Sequence, residues 1–341
     1  MTAPAAGLFG VGISGPALTE EERRVLERDP PGAIVLFRRN VESIEGVQAL
    51  TRELRDLPGR PFVCVDMEGG PVDRFREILG ASAAFRDAAR SGLSREAGEI
   101  AGEACRLLGV QVDLAPVVDR MLPGASERVL AGRCAAGDPE GIIAAASAFL
   151  DGLHASGTGG CVKHFPGLGR ADLDTHQALP FLPDDPDEES RDLAPFAATM
   201  DLARAVMISH AAGPDGLPST LSPARATALL RGSLGFRGAA FSDDLEMGAL
   251  SAFGEVPDRA AEALRAGCDL LLVCSRIEDY PASVRQVEET VSEERRREAA
   301  DRVADYAARL PQESTRPSRT AAALRDAIRD LRDRTAESTE A

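Results

Sequence analysis

Between Lys163 and His176 the chain gathers groups that can hold a polar ligand and move a proton, in the stretch KHFPGLGRADLDTH. Lys163 and His164 stand at its start, and Pro166, Gly167 and Gly169 turn it. Asp172, Asp174 and His176 then follow two residues apart. A carboxylate and an imidazole at i and i+2 of an extended loop face one side, so Asp174 can orient the His176 ring and steady its protonated form. An imidazole titrates near neutrality without special tuning, which suits a group that donates a proton and later takes one back. Lys163 is the only lysine of the chain. At a buried strand end an ammonium needs a carboxylate or a substrate hydroxyl as partner, so it is read as a binding group.

The elements that must position these groups are short and regular. Apolar runs occur at residues 8–14, 32–37, 61–66, 110–116, 160–163, 205–209, 238–241 and 269–274. They are apolar almost throughout rather than alternating, as expected of parallel strands buried on both faces. Helix signals lie between them: Thr19 with Glu22 forms a capping box, and Asp138–Pro139 and Ser222–Pro223 each open an amphipathic pattern. Eight strands alternating with helices predict an α/β fold of the (β/α)₈ TIM barrel type, with an open doubly wound sheet as the alternative. The expectation is a single domain, with the barrel over residues 1–285 and a C-terminal helical extension and tail over 286–341. That extension is read as surface helices that fray from about Thr335 onward.

A parallel barrel works at the C-terminal ends of its strands. Asp66 ends PFVCVD, Lys163 and His164 follow GGCV, His210 follows AVMIS, and Asp243 follows GAAFS. These five are expected to ring one mouth, although His210 suits packing as well as it suits the pocket. Glu68 and Asp244 are read as caps and left out of the site.

Composition narrows the function. A net charge of −16 disfavours nucleic acid and anionic membrane surfaces, and two Tyr with no Trp disfavour an aromatic sugar-binding platform. No apolar stretch reaches the length of a membrane span, and the N-terminal residues lack the basic start of a secretory leader. Six cysteines at irregular spacings, without C-x-x-C, predict neither a disulfide framework nor a structural metal and fit a reducing cytoplasm. A metallohydrolase barrel would want clustered ligands such as His-x-His, and none occurs, so neither metal nor cofactor is expected.

Four pieces in order carry a family resemblance: DMEGGPVDR (66–74), AGRCAAGDP (131–139), KHFPG with DTH (163–176), and FSDDLEM (241–247). Over residues 5–275 the chain resembles glycoside hydrolase family 3, specifically the bacterial β-N-acetylglucosaminidases (β-hexosaminidases) of the NagZ type. The resemblance implies a monomeric barrel enzyme without cofactor that releases terminal, non-reducing N-acetylglucosamine with retention of configuration. The implied substrate is a muropeptide fragment, N-acetylglucosaminyl-1,6-anhydro-N-acetylmuramic acid with or without its peptide. By the same resemblance Asp243 is the nucleophile, His176 the acid/base and Asp174 its partner. Asp66, Arg74, Arg133, Lys163 and His164 are the residues that hold the sugar. The chain departs from the family at Leu168, where a second histidine is usual, at Arg170, where an acidic or small residue is common, and at Cys134–Ala135. Three alternatives stay open: a β-glucosidase of the same family, an N-acetylglucosaminide phosphorylase in which inorganic phosphate replaces water, and a catalytically impaired sugar-binding barrel.

Overall fold

The structure, a computed structural model, describes residues 4–122, 130, 132–135, 137–171, 179–310 and 319–340. The eight apolar runs form one parallel sheet that curls into a barrel. Its strands are β1 (Phe9–Gly12), β2 (Ala33–Leu36), β3 (Phe62–Val65), β6 (Val112–Asp113), β7 (Gly159–Gly160), β8 (Val162–Phe165), β9 (Ala205–Ile208), β10 (Ala239–Asp244) and β11 (Leu270–Val273). The order across the sheet is β7-β6-β3-β2-β1-β11-β10-β9-β8. Strands β7 and β8 at the two ends of that row are separated in the chain by Cys161 alone. They form the single predicted run at 160–163, whose first half pairs with β6 and whose second half pairs with β9. Closure therefore falls on the strand that carries Lys163 and His164. A small antiparallel hairpin, β4 (Met67–Gly69) with β5 (Val72–Asp73), follows β3 and had no sequence signal beyond its two glycines.

Alternation along each strand sorts the two cores. Ala33 and Val35, Phe62 and Cys64, Val112 and Leu114, Ala205 and Met207, and Leu270 and Leu272 fill the barrel interior. Their neighbours Ile34, Val63, Val65, Val206, Ile208, Leu271 and Val273 face the surrounding helices. The far end of the barrel is closed by the helix Glu293–Ala308. Its Tyr306 ring packs edge-on against Phe62 and Phe241, with centroids 5.8 and 5.6 Å away, and its hydroxyl donates to the Gly160 carbonyl at 3.0 Å. The extension thus supplies part of the interior and is more than a surface covering. Nor does its last helix stop at Thr335. The helix Ala321–Glu340 runs on, Thr335 is buried, and Leu324, Ile328 and Leu331 are buried with it. Arg334 pairs with Glu96 at 2.9 Å, so a side chain distant in sequence holds the last turns in place. Among the described residues no helix is long and apolar enough to cross a membrane.

The helices Ser94–Leu107 and Pro139–Ala155, which flank β6 and β7, cross with their backbones almost in contact. A Cβ on Gly152 would sit 2.0 Å from the Arg95 carbonyl oxygen, and one on Gly98 would sit 2.0 Å from that of Phe149. Helix propensity alone would make Gly152→Ala stabilising by about 0.5–1 kcal/mol. The contact reverses the sign: the two helices must separate, at a cost of about 1–3 kcal/mol. Gly152→Ala is therefore expected to lower the urea midpoint at unchanged slope, and a raised midpoint would refute the close crossing.

Candidate active site

The site grows from the ends of β3 and β8. After Val65 the chain leaves the barrel through Asp66, folds the β4–β5 hairpin at Gly69 and Gly70 (φ 81° and 57°), and delivers Arg74. Two buried carboxyls hold this hairpin in place. Asp113 Oδ1 accepts from Met67 N at 2.9 Å, and Asp73 accepts from Ser82 N at 2.8 Å and Phe75 N at 3.1 Å. Burial pushes Asp113 up to about 8, which favours its un-ionised form. The hairpin thereby brings Asp66 and Glu68 together across the mouth from β8.

Lys163 meets both of them. Its Nζ lies 2.6 Å from Asp66 Oδ1 and 2.6 Å from Glu68 Oε1, with the lysine side chain 2% exposed. Arg133 clasps Glu68 through two bonds, Nε to Oε2 at 2.7 Å and Nη2 to Oε1 at 3.0 Å. Arg74 Nη2 donates to Asp66 Oδ2 at 3.2 Å. Burial opposes ionisation of both carboxyls. Lys163 and Arg74 outweigh it at Asp66 and hold that group well below the ordinary carboxylate range. Lys163 and Arg133 do the same at Glu68, which is held at about 2. Burial likewise opposes the charge on Lys163, and the two carboxylates more than offset it, so the lysine stays cationic.

His164 is oriented from behind. Asp119, fully buried, accepts from His164 Nδ1 at 2.7 Å, from the His164 backbone N–H at 3.2 Å, and from the Leu168 N–H at 2.8 Å. On the other edge of the ring, Nε2 lies 3.3 Å from Arg133 Nη2. A guanidinium can only donate, so Nε2 accepts and the ring proton sits on Nδ1, toward Asp119. Lys163 and His164 are consecutive, yet both line the same cavity. The pairing of β8 with β9 shifts register between Val162 and Phe165, which interrupts the normal alternation of sides.

Asp66, Glu68, Arg74, Arg133, Lys163, His164, Asp243 and Asp244 share one cavity of about 300 Å³. Val35, Phe37, Leu114, Met207 and Leu272 form its apolar floor and walls. Six of the residues named from the sequence are thus brought together: Asp66, Arg74, Arg133, Lys163, His164 and Asp243. Asp174 and His176, like Asp172, lie outside the described residues. Asp243, at the end of β10, is half-buried and accepts from the Asp244 N–H through Oδ1 at 2.8 Å.

Three expectations change. His210 does not ring the mouth. It is fully buried, with Nδ1 2.8 Å from Thr220 Oγ1 and Nε2 2.9 Å from the Asp244 carbonyl oxygen, because residues 209–221 fold back over it. Glu68 is no cap, being the shared partner of Arg133 and Lys163. Asp244 does accept from Glu246 N at 3.1 Å, as a cap would, but it also lines the cavity. Asp119 was not anticipated at all. It lies three residues beyond the run at 110–116, and the only signal was a charged pair, Asp119–Arg120, following two valines.

Leu168 and Arg170, expected to depart from the family pattern, are each held by neighbours. Leu168 lines the cavity and packs in a small apolar cluster with Val117, Cys134, Leu182 and Ala211. Arg170 Nε bonds Asp192 Oδ2 at 2.5 Å, and Asp192 Oδ1 takes Arg120 Nη1 at 2.9 Å, all three side chains being buried. This triad ties the segment after β8 to the helix Pro186–Ala203. Among the described residues no group of His, Cys, Asp and Glu is arranged to hold a metal ion.

Comparison with known proteins agrees over most of the chain. The glycosyl hydrolase family 3 N terminal domain matches residues 6–310. A beta-hexosaminidase of Stenotrophomonas maltophilia is 37% identical over 278 residues, covering 77% of this chain and 82% of that protein. One from Thioalkalivibrio sulfidiphilus is 38% identical over 279 residues, covering 78% and 80%. Among solved structures, a family 3 beta-N-acetylglucosaminidase from Paenibacillus sp. superposes with a TM-score of 0.87 at 29% identity, covering 98% of this chain and 69% of its own. NagZ from Neisseria gonorrhoeae superposes with a TM-score of 0.79 at 28% identity, covering 97% and 96%.

The doubly shared carboxylate sets the prediction for this site. Glu68→Gln removes one charge and leaves Lys163 and Arg133 with Asp66 alone, which is expected to cost about 3–5 kcal/mol at neutral pH. Glu68 titrates at about 2 in the folded chain against an ordinary 4.5. Its contribution is therefore complete above 4.5 and lost as pH falls toward 2. Urea unfolding at a series of pH values should show wild type and variant converging below about 4.5; a constant gap would mean that the pairing is not ionic.

Proposed function

This chain belongs to glycosyl hydrolase family 3 and is a glycoside hydrolase, and from that premise we propose that it is a retaining exo-β-N-acetylglucosaminidase. The observation that carries the reading is the shared cavity: the family's nucleophile position, Asp243, and its sugar-holding set, Asp66, Arg74, Arg133, Lys163 and His164, line one space of about 300 Å³. Ligand cavities span about 300–1,000 Å³, and this one is at the small end, which suits a single terminal sugar rather than a chain. The beta-hexosaminidase relatives favour N-acetylglucosamine over glucose in it.

In this reading Asp243 attacks the anomeric carbon from a fixed strand end as the leaving oxygen departs, forming a glycosyl ester. His176 protonates that oxygen, then deprotonates the water that opens the ester, with Asp174 steadying the imidazolium between the two steps. The Asp66–Lys163–Glu68–Arg133 cluster offers hydroxyl-binding groups whose positions are already set before substrate arrives, so little ordering remains to be done on binding. The natural substrate is proposed to be a muropeptide fragment, N-acetylglucosaminyl-1,6-anhydro-N-acetylmuramic acid with or without peptide, cleaved by a cytoplasmic monomer.

Purified protein offered aryl β-N-acetylglucosaminide and aryl β-glucoside side by side is expected to prefer the first; the reverse preference makes it a β-glucosidase. Asp243→Asn should lose activity by several orders of magnitude, because an amide cannot form the ester. A slow fluorinated substrate should add its mass to the peptide containing Asp243, and a label on Asp66 or Asp244 would overturn the assignment. His176→Ala should slow substrates with poor leaving groups by about 10²–10⁴-fold while sparing activated aryl glycosides. Equal losses for both would assign His176 to positioning.

A further inference from the structure

Next to the nucleophile stands a second aspartate to which neither the resemblance nor the comparisons assign a role. Asp244 has one carboxyl oxygen pinned from two sides: Oδ1 accepts from Glu246 N at 3.1 Å and from Cys274 N at 3.3 Å. It is one of the residues lining the cavity, and no described residue hydrogen-bonds or ion-pairs with Oδ2. The two N–H donors favour a charge, but the side chains around it do not. Asp243 precedes it on β10, and Glu246 follows, already engaged by Ser275 N and Arg276 N and 3.5 Å from Arg276 Nε. Just beyond β11 lies the buried Cys274, and beyond β9 the His210 ring, whose Nε2 is engaged by the Asp244 main-chain oxygen. The cations of the cavity are taken elsewhere: Lys163 by Asp66 and Glu68, Arg133 by Glu68, and Arg74 by Asp66.

Counting charge gives the same answer. Among the described residues the cavity lining holds four acids, Asp66, Glu68, Asp243 and Asp244, against three cations, Arg74, Arg133 and Lys163. It balances when one acid is protonated, and Asp66 and Glu68 are held ionised by their partners. With Oδ1 fixed as an acceptor by two N–H groups, a proton on Asp244 sits on Oδ2, for which no described residue provides an acceptor.

We propose that Asp244 is a substrate-binding residue whose un-ionised carboxyl donates a hydrogen bond from Oδ2 to an oxygen of the bound sugar. A carboxylate there could only accept, beside the Asp243 carboxylate. This rests on the reading of the cavity as a sugar site and adds to it a group that selects for a hydrogen-bond acceptor. Burial, then Glu246 and Asp243, push the Asp244 carboxyl up to about 7. The sign follows directly: the donor is present below about 7 and lost above it, so sugar affinity should fall as pH rises through neutrality.

Calorimetric titration with N-acetylglucosamine and with glucose, from about pH 5.5 to 8.5, tests this on wild type, Asp244→Asn and Asp244→Ala. Which sugar binds the wild type decides the proposed function; how its affinity depends on pH decides the role of Asp244. The wild type is expected to lose about 3–10-fold in affinity across neutrality, the worth of one hydrogen bond. Asp244→Asn keeps an acceptor toward the two N–H groups and a permanent donor on the cavity side, so its affinity should no longer change over this range. Asp244→Ala should bind about 3–10-fold more weakly than wild type at the acid end. A wild type with flat affinity, an Asn variant that retains the wild-type pH dependence, or a wild type that binds neither sugar overturns the inference. His164 also faces the sugar, and the Asn variant separates the two: any pH dependence that survives in it belongs elsewhere.

Discussion

A single buried ammonium group holds the working end of this molecule together. Lys163 reaches Asp66 and Glu68 at 2.6 Å each, and Glu68 in turn holds Arg133 by two bonds. Removing these charges from water is expensive, and mutual attraction offsets that cost only where geometry is close and the remaining donors and acceptors are occupied. The hairpin after β3, the segment bearing Arg133, and the closing strand must therefore all sit in one arrangement. The cluster fixes the protonation of its own members as well. Its carboxylates remain ionised far into the acid range and its lysine remains charged, so the charges it presents to the cavity do not vary with ordinary changes of pH.

The rest of the barrel makes this arrangement rigid without intruding on it. The interior is filled by alternate side chains of every strand, and its far end is stopped by Tyr306 on a helix from the C-terminal extension. The helix Ala321–Glu340 returns to pack on the helices Phe85–Arg90 and Ser94–Leu107, behind the hairpin that presents Asp66 and Glu68. At Leu168 and Arg170 the chain relies on packing and ion pairing. Leu168 joins an apolar cluster at the cavity wall, and Arg170 joins the buried Arg120–Asp192 pair. Both departures anchor the stem of the segment that leads toward Asp174 and His176.

Two aspartates side by side at the end of β10 show how environment divides like residues. Asp243 is the candidate nucleophile, and Asp244 has one oxygen fixed by backbone donors and a carboxyl pushed up to about 7 by burial, Glu246 and Asp243. Adjacent acids with different surroundings can supply an anion and a neutral donor within one cavity.

Much of this was determined by the sequence alone. The eight apolar runs specified the strands because a strand buried on both faces needs an unbroken run, and that requirement is local. Asp66, Lys163, His164 and Asp243 could be read as a site because the end of a strand is where a barrel exposes side chains to one mouth. What only the tertiary structure decided were partnerships between distant segments. Glu68 looks like a turn residue until Lys163 and Arg133 close on it, and Asp119 looks like loop until it accepts from His164 and Leu168. His210 follows the strand-end rule as well as Asp243 does. It is nonetheless withdrawn from the cavity, because residues 209–221 and the Asp244 carbonyl claim both ring nitrogens. The physical reason is the same in each case. Hydrophobic period and turn chemistry act over a few residues, whereas the fate of a buried polar group depends on which donor or acceptor the fold places within about 3 Å of it.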